Sequence, residues 1–302
     1  MLVSVLDTQS PAHLPELLPE LDRLGFHRYW ATEHHSETQS ASPTIVASLA
    51  AGITDHIRVG TAGVLLRATS ALRVVEDFAT LELFFPGRID LGIAGATPPG
   101  DHARSLERDL PLASDGAYAE RLTRLVEMVR SQRLPGGGGF IGPRSDSRPE
   151  LWLCGTSERA ARLAGTLGIS FAYHHYLASA DQRIASDVAD AYRSSFVGFD
   201  EQPPRLLVAA YGHCASSDDQ ATTEWNAYFG HAPPKPSFVG TPEQVAAQLA
   251  VLSASYAADE LAIDCFAPTF DARLDALAKL KSALDSLTGA TALEPEDVAA
   301  AV

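Results

Sequence analysis

The feature of this sequence that most constrains its fold is a regular alternation of short β-rich runs with helical patterns. The runs are almost continuously apolar, as in strands covered on both faces, and apolar residues at helical spacing follow each of them. This alternation favours a parallel sheet wrapped by helices. The predicted strands are residues 2–6, 28–31, 57–66, 88–93, 151–154, 169–173, 205–211 and 260–266.

The helical patterns match the strands in number, which favours a closed (β/α)8 TIM barrel over an open sheet. We expect one barrel domain over residues 1–288 and a frayed tail over 289–302, which is Ala-rich without strong apolar periodicity. Residues 134–149 and 231–236 are rich in Gly or Pro and are predicted to be irregular. The predicted helices are residues 14–24, 44–53, 70–85, 120–130, 158–167, 181–196, 241–252 and 274–287.

Charge and cysteine usage exclude several classes of function. The formal net charge of -15 disfavours nucleic-acid binding, because such a surface repels phosphate backbones. The 3 cysteines are far apart and show neither metal-ligand spacing nor a disulfide framework, as expected in a reducing cytosol. The first apolar run, residues 2–6, is too short for export or for a membrane span. We therefore expect a cytoplasmic protein that binds neither nucleic acid nor membrane.

In a barrel of this kind the active site lies at the carboxyl ends of the strands. The first predicted strand ends at Asp7, and the second runs into Glu33, His34 and His35. Adjacent histidines on an extended chain point to opposite sides, so this cluster does not favour a joint metal site, and we expect no metal. A single inward histidine that handles a proton is the better functional interpretation, and a solvated polar rim is the alternative.

Three further segments fall at strand ends or within strands. Gly155-Thr156-Ser157 precedes a helix, so it predicts either a phosphate site at a helix N-terminus or a plain N-cap. The glycines of residues 60–63 mark either a bulge or close approach of a ligand, or else tight packing of the strand against a helix. His174, His175 and Tyr176 either line the pocket or lie in a solvated loop.

Taken together, these segments resemble the bacterial luciferase-like flavin-dependent monooxygenases. The likeness covers nearly the whole chain in the expected order, and it is nearest to a short subgroup that includes tailoring oxygenases of bacterial secondary metabolism. The segments that carry it are residues 29–35, 42–43, 57–66, 72–76, 86–92, 151–157, 239–243 and 258–261.

The resemblance implies a reaction and its partners. Reduced FMN, arriving as a cosubstrate from a separate flavin reductase, would react with O2 to give a flavin hydroperoxide, which would oxygenate a small organic substrate. The resemblance also implies a homodimer. There are three alternatives: an F420-dependent oxidoreductase, a non-catalytic flavin-binding protein, and a pseudoenzyme that has lost flavin. The retained Glu33-His34 pair argues against the pseudoenzyme.

The resemblance also implies roles for individual residues. His34 would support the peroxyflavin step by proton transfer or hydrogen bonding. Ala62-Gly63 would form a bulge under the flavin ring, where the family often has a non-proline cis peptide. Ser157, with Gly155 and Thr156, would contact the flavin phosphate. Asp7 and Glu33 would line the pocket floor, and Glu33 would share the catalytic role with His34.

The sequence departs from the family at the phosphate site. Relatives usually carry an arginine in the loop after the fourth strand, whereas this chain has Gly95 and Ala96 there. At the position of a second phosphate contact, where relatives usually carry Ser or Thr, this chain has Ala160. We therefore expect weak flavin binding or a shifted phosphate next to Gly95 and Ala96. The residues that could compensate for the lost arginine are Arg104, Arg159 and Arg162.

Overall fold

Eight parallel strand positions close into a barrel in the computed structural model, which describes residues 1–98, 100–109, 111–177, 182–200, 202–230 and 233–290. The closure comes from the last barrel strand, which pairs with the first and also with the strand at residues 206–214. The strands are β1 (Leu2–Asp7), β2 (Arg28–Ala31), β3 (Arg58–Thr61), β4 (Val64–Leu65), β5 (Ile89–Ala94), β6 (Glu150–Gly155), β7 (Ser170–His174), β8 (Leu206–Cys214), β9 (Phe238–Gly240) and β10 (Glu260–Cys265). The predicted (β/α)8 barrel is therefore confirmed.

The predicted strand 57–66 is interrupted. It forms β3 and β4, which both pair with β5 and together fill one position of the barrel. Between them lie Ala62 and Gly63, whose peptide bond is cis, as the resemblance implied. The Val- and Leu-rich composition of this run fits a strand on either side of the break, so composition alone does not locate the bend. β9, which was not predicted, is a three-residue extension beside the end of β8.

The helices cover the outside of the barrel. Every helix that was predicted begins within one residue of its predicted start, except α5 and α10, which begin earlier than predicted. The described residues form α1 (Leu14–Arg23), α2 (Pro43–Gly52), α3 (Ala71–Phe84), α4 (Gly100–Asp109), α5 (Asp115–Ser131), α6 (Glu158–Leu167), α7 (Gln182–Ser195), α8 (Asp218–Phe229), α9 (Pro242–Tyr256) and α10 (Phe270–Ala290). The prediction missed α4 and α8. In α8 only Ala221 and Trp225 are buried, which leaves a weak apolar period to detect.

Three predictions concern the irregular parts of the chain. α10 continues through Ala290, two residues beyond the predicted domain end, and the rest of the predicted tail, 291–302, lies outside the described residues. Residues 134–149 contain one short 3-10 turn and one isolated bridge, between Arg133 and Phe140, at its edge. Residues 233–236 have no regular structure, and 231 and 232 lie outside the described residues.

The barrel interior is filled at one end and open at the other. Near the amino ends of the strands, the Arg28 guanidinium lies 5.1 and 5.0 Å from the ring centres of Trp30 and Trp152. The two indoles meet edge to face, 5.5 Å apart, and fill the middle of the barrel. One step further along the strands the inward residues are small, among them Ala62 and Cys154. This change from large to small side chains leaves space at the carboxyl ends of the strands.

Candidate active site

A cavity of about 570 Å³ lies above these small residues, within the range of roughly 300–1,000 Å³ that is usual for small-molecule sites. It is the position at which barrels of this type carry their active sites. Nine of the ten predicted site residues line it, and Asp7 is the exception. The nine are Glu33, His34, Ala62, Gly63, Gly95, Ala96, Gly155, Thr156 and Ser157.

His34 enters the cavity from the segment after β2, and its neighbours define its proton positions. The Thr32 hydroxyl donates its proton to the backbone carbonyl of Asp7 at 2.8 Å. The same oxygen lies 3.1 Å from Nδ1 of His34, so it must accept a hydrogen bond from Nδ1–H. The neutral imidazole therefore carries its proton on Nδ1, and Nε2 is the proton acceptor. Burial lowers the pKa of His34, and the neighbouring His35 lowers it further.

Glu33 lines the cavity, but both of its carboxylate oxygens already have partners. One oxygen accepts a hydrogen bond from the Leu65 amide at 2.9 Å, which ties β2 to β4, and the other lies 3.0 Å from Nε2 of His35. Burial raises the pKa of Glu33, against the effect of these two contacts. This arrangement favours a role in positioning the strand ends rather than the catalytic role that the sequence predicted.

The prediction that Asp7 lines the pocket floor requires a correction. Leu6 points into the barrel, so the next residue along the strand points outward. The Asp7 carboxylate accepts hydrogen bonds from Tyr29 at 2.9 Å and from Arg273 at 3.0 Å, on the outer side of the sheet. Asp7 reaches the site only through its backbone carbonyl, which orients Thr32.

The end of β7 adds a second histidine to the cavity. His174 and Tyr176 line it, whereas His175 turns away and lies 2.8 Å from the Tyr256 hydroxyl. His174 is 8% exposed, and its Nδ1 lies 3.3 Å from the Tyr176 hydroxyl. Burial lowers the pKa of His174 to about 4, with a further contribution from His34. His174 is therefore neutral near pH 7.

Both predicted roles of Gly155-Thr156-Ser157 are compatible with the structure. The Ser157 side chain caps α6 by accepting a hydrogen bond from the Ala160 amide, and it also lines the cavity. Of the three arginines predicted to compensate for the lost family arginine, only Arg159 lines the cavity. Arg104 pairs with Asp101 on α4, and Arg162 pairs with Glu158 at 3.3 Å along α6.

Arg67, Asp115 and Tyr118 also line the cavity, and sequence reasoning missed all three. Arg67 lies in the turn after β4, and its guanidinium contacts the Gly95 carbonyl, the Ala113 carbonyl and Asp115. No motif in the sequence marks these residues, because Arg67 meets Gly95, Ala113 and Asp115 only in the folded barrel. The missing family arginine at Gly95 was the one sign in the sequence that another positive charge would be needed near this site.

Two polar atoms at the cavity are buried without a hydrogen-bond partner among the described residues. They are the hydroxyl of Tyr118 and Nε2 of His174. Buried polar groups are normally satisfied, so unpaired atoms at a cavity wall are expected where a ligand completes the site. In the same part of the chain, no group of three His, Cys, Asp or Glu side chains is arranged to hold a metal ion. Nor does any helix described here have the length and apolar character needed to cross a membrane.

The proteins with sequences similar to this chain include two from Bacillus subtilis. An uncharacterized protein of Bacillus subtilis, YvbT, is 34% identical over 220 residues, which are 68% of this chain and 61% of that protein. An N-acetyl-S-alkylcysteine monooxygenase of Bacillus subtilis is 31% identical over 175 residues, 55% of this chain and 51% of that protein. The chain thus matches between half and two thirds of the length of these curated relatives.

Known structures agree with the fold over almost the whole chain. The crystal structure of apo-MsnO8 is 30% identical, with a TM-score of 0.81, and covers 94% of this chain and 98% of that one. An FMN complex of the oxygenating constituent of 3,6-diketocamphane monooxygenase from Pseudomonas putida shares the fold at 14% identity, with a TM-score of 0.72 over 94% of this chain and 97% of that one. So does an F420-dependent secondary alcohol dehydrogenase, at 14% identity and a TM-score of 0.73 over 94% and 98% of the two chains.

The family model for luciferase-like monooxygenases matches residues 3–238, which include every predicted site residue. The strand–helix order, the cis peptide between β3 and β4 and the position of the cavity agree with that match. The chain belongs to the luciferase-like monooxygenase family.

Proposed function

We propose that this chain is the oxygenating component of a two-component monooxygenase. It would bind reduced FMN supplied by a separate reductase and use O2 to oxygenate a small organic substrate. The observation that carries the proposal is that His34 lies in the same cavity as Ala62 and Gly63. Its imidazole is neutral, and its Nε2 is the atom that accepts a proton. The two unpaired polar atoms, on Tyr118 and His174, support a ligand-completed site.

The residues of the cavity suit a flavin. Ala62 and Gly63 present backbone with almost no side chain, against which a flat ring can lie, and Ser157 stands at the start of α6, where amide groups favour a phosphate. Reduced flavin would supply the electrons that activate O2. The protein would exclude water with apolar neighbours such as Leu153 and Leu163, and Nε2 of His34 would accept or return a proton beside the reacting atoms.

The test is an anaerobic titration of the purified protein with reduced FMN, followed by rapid mixing with O2. We expect a transient absorbing species to precede the appearance of oxidised flavin, and to decay faster in the His34→Ala variant. The matched control is His56→Ala, because His56 is exposed in the turn between α2 and β3, at the other end of the barrel. Binding without any transient species in the native protein would instead support a non-catalytic flavin-binding protein.

The second candidate is an F420-dependent oxidoreductase. Two points favour it: Gly95 stands where the family resemblance leads us to expect the phosphate-binding arginine, and an F420-dependent secondary alcohol dehydrogenase shares the fold. If reduced FMN fails to bind while F420 binds and exchanges a hydride with an organic substrate, this reading replaces the monooxygenase.

We also propose that the chain forms a homodimer. Ile45, Leu49 and Ile53, spaced by four residues along α2 and its C-terminal end, are 61%, 56% and 43% exposed. They form an apolar stripe on the outside of the barrel, and such contiguous exposed surfaces are typical of protein interfaces. We call these three residues the α2 stripe.

A further inference from the structure

The two arginines that line the cavity differ in how firmly they are held. Arg67 contacts two backbone carbonyls, and its guanidinium lies 4.9 Å from the ring centre of Tyr118. Its side chain is 16% exposed. The side chain of Arg159 is 70% exposed, and its guanidinium lies 2.7 Å from Asp115. Arg67 is therefore a fixed positive charge, whereas Arg159 can move at little cost because exposed ion pairs are weak.

Asp115 bridges the two arginines. Its Oδ1 contacts Arg67, and its Oδ2 contacts Arg159. Hydrogen bonds from Arg67 and then Arg159 hold the pKa of Asp115 below its usual range, so the carboxylate stays charged at neutral pH. The edge of the cavity thus contains two cations joined by one internal anion.

Tyr118 gives independent evidence that this corner receives a ligand. Its side chain is 7% exposed, and its hydroxyl has no hydrogen-bond partner in the described part of the chain. The ring fits beside Gly95, where an added Cβ would lie only 3.0 Å from Cζ of the phenol. Gly95 therefore makes room for a free hydroxyl donor next to the Arg67 guanidinium.

We propose that Arg67, Arg159 and Tyr118 form the anion subsite of this cavity and that Asp115 occupies it as an internal competitor of the ligand's phosphate. The inference rests on the proposed function, since the ligand is FMN. Carboxylate and phosphate bind a guanidinium with the same forked geometry, so the phosphate would take the place of Asp115 on Arg159. The subsite stands in for the arginine that the family resemblance leads us to expect at Gly95, and the competitor keeps FMN binding weak and reversible.

The experiment compares FMN with riboflavin, which has the same ring without the phosphate. We expect the native protein to bind the two flavins with dissociation constants within a few fold of each other, measured by quenching of flavin fluorescence. Asp115→Asn should tighten FMN binding by about tenfold, as expected for a gained charge-assisted contact, and leave riboflavin unchanged. The gain should shrink as salt concentration rises, because Arg159 and Asp115 are exposed to solvent.

Two further variants complete the test. Asp275→Asn is the matched control, since Asp275 is a similarly exposed carboxylate that pairs with Lys279 on α10, away from the cavity. Arg159→Ala in the Asp115→Asn background should abolish the gain. Asp115 also lies in the first turn of α5, so its substitution could disturb the helix. Riboflavin affinity reports whether the cavity is intact. If riboflavin affinity falls in Asp115→Asn, Asp115→Ser is the second variant.

The outcomes separate the inference from the proposed function. If both flavins bind the native protein and Asp115→Asn changes neither, or tightens both equally, the competitor role is overturned while the monooxygenase proposal stands. If neither flavin binds the native protein or any variant, the proposed function fails and the inference fails with it.

Discussion

At the scale of single residues, the path from Asp7 through Thr32 to His34 has a defined direction. Thr32 has one hydroxyl proton, which it gives to the Asp7 carbonyl, so it can only accept from His34. The sequence placed a histidine at this strand end correctly. It could not show which nitrogen carries the proton, because that depends on a backbone carbonyl of the neighbouring strand.

Thr32→Val should slow the oxygen-dependent step by about tenfold, less than the loss of about 100-fold or more expected when His34 itself is removed. The valine keeps the side-chain shape but cannot accept from Nδ1–H, so the ring loses both its fixed tautomer and its orientation. Reduced FMN affinity should stay the same. Single-turnover mixing with O2 measures the effect, and Thr80→Val, on the exposed face of α3, is the control. A native rate in Thr32→Val would show that the hydroxyl does not direct His34.

His174 makes stability depend on pH. Folding lowers the pKa of His174 from 6.5 to about 4, so the folded protein takes up this proton at a lower pH than the unfolded chain does. The contribution of neutral His174 to the free energy of unfolding is therefore complete above pH 6.5. It is lost as the pH falls towards 4, by about 3 kcal/mol in total. The free energy of unfolding, measured with urea, should fall between pH 7 and pH 5 by about 2 kcal/mol less in His174→Phe than in the native protein.

At the scale of secondary-structure elements, one buried arginine joins strands from around the barrel. Arg28 on β2 is fully buried and contacts Asp90 on β5 at 2.8 Å, Glu150 on β6 at 3.3 Å and Glu260 on β10. Burial alone would raise the pKa of Asp90, but Arg28 and Arg58 hold it below its usual range. The charges at this end of the barrel are therefore mutually dependent.

Arg28→Met should destabilise the fold by about 3–5 kcal/mol, because it leaves buried carboxylates without their partner. Arg23→Met removes a surface pair with Glu20 and should cost less than about 1 kcal/mol. Urea denaturation of both variants at pH 7 gives the comparison. Equal free energies of unfolding for the two variants would mean that the carboxylates find other partners, such as Arg58.

The elements also show where sequence reasoning ends. Strands buried on both faces, such as β5, and helices with a clear apolar stripe, such as α1, were located within about two residues. Strand periodicity alone predicted one continuous strand over 57–66, and it was the family resemblance that placed a bulge at Ala62 and Gly63. Arg67 and Asp115 are 48 positions apart in the chain and meet only once the barrel has closed. The sequence therefore indicated His34 and Arg159 at the cavity, but neither Arg67 nor Asp115.

At the scale of the whole molecule, the described outer surface carries an apolar region around α2 that the fold itself does not use. Gly52, at the end of α2, lies beside the ring of Phe85, at the end of α3, so the α2 stripe continues towards Phe84, which is 69% exposed. The opposite face of α2 is buried against the barrel through Val46, Ala47 and Ala50. A second copy of the chain would cover the stripe without disturbing the barrel.

Leu49→Glu should therefore convert a dimer into a folded monomer, because a charge in an apolar interface is costly to bury. Sedimentation velocity at micromolar concentration measures the state of the native protein and the variant. Val251→Glu is the control, since Val251 on α9 is 66% exposed but lies outside the α2 stripe, and this variant should remain dimeric. Circular dichroism should be native for both. A native protein that sediments as a monomer, or a Leu49→Glu variant that still sediments as a dimer, would rule out the α2 stripe as the interface.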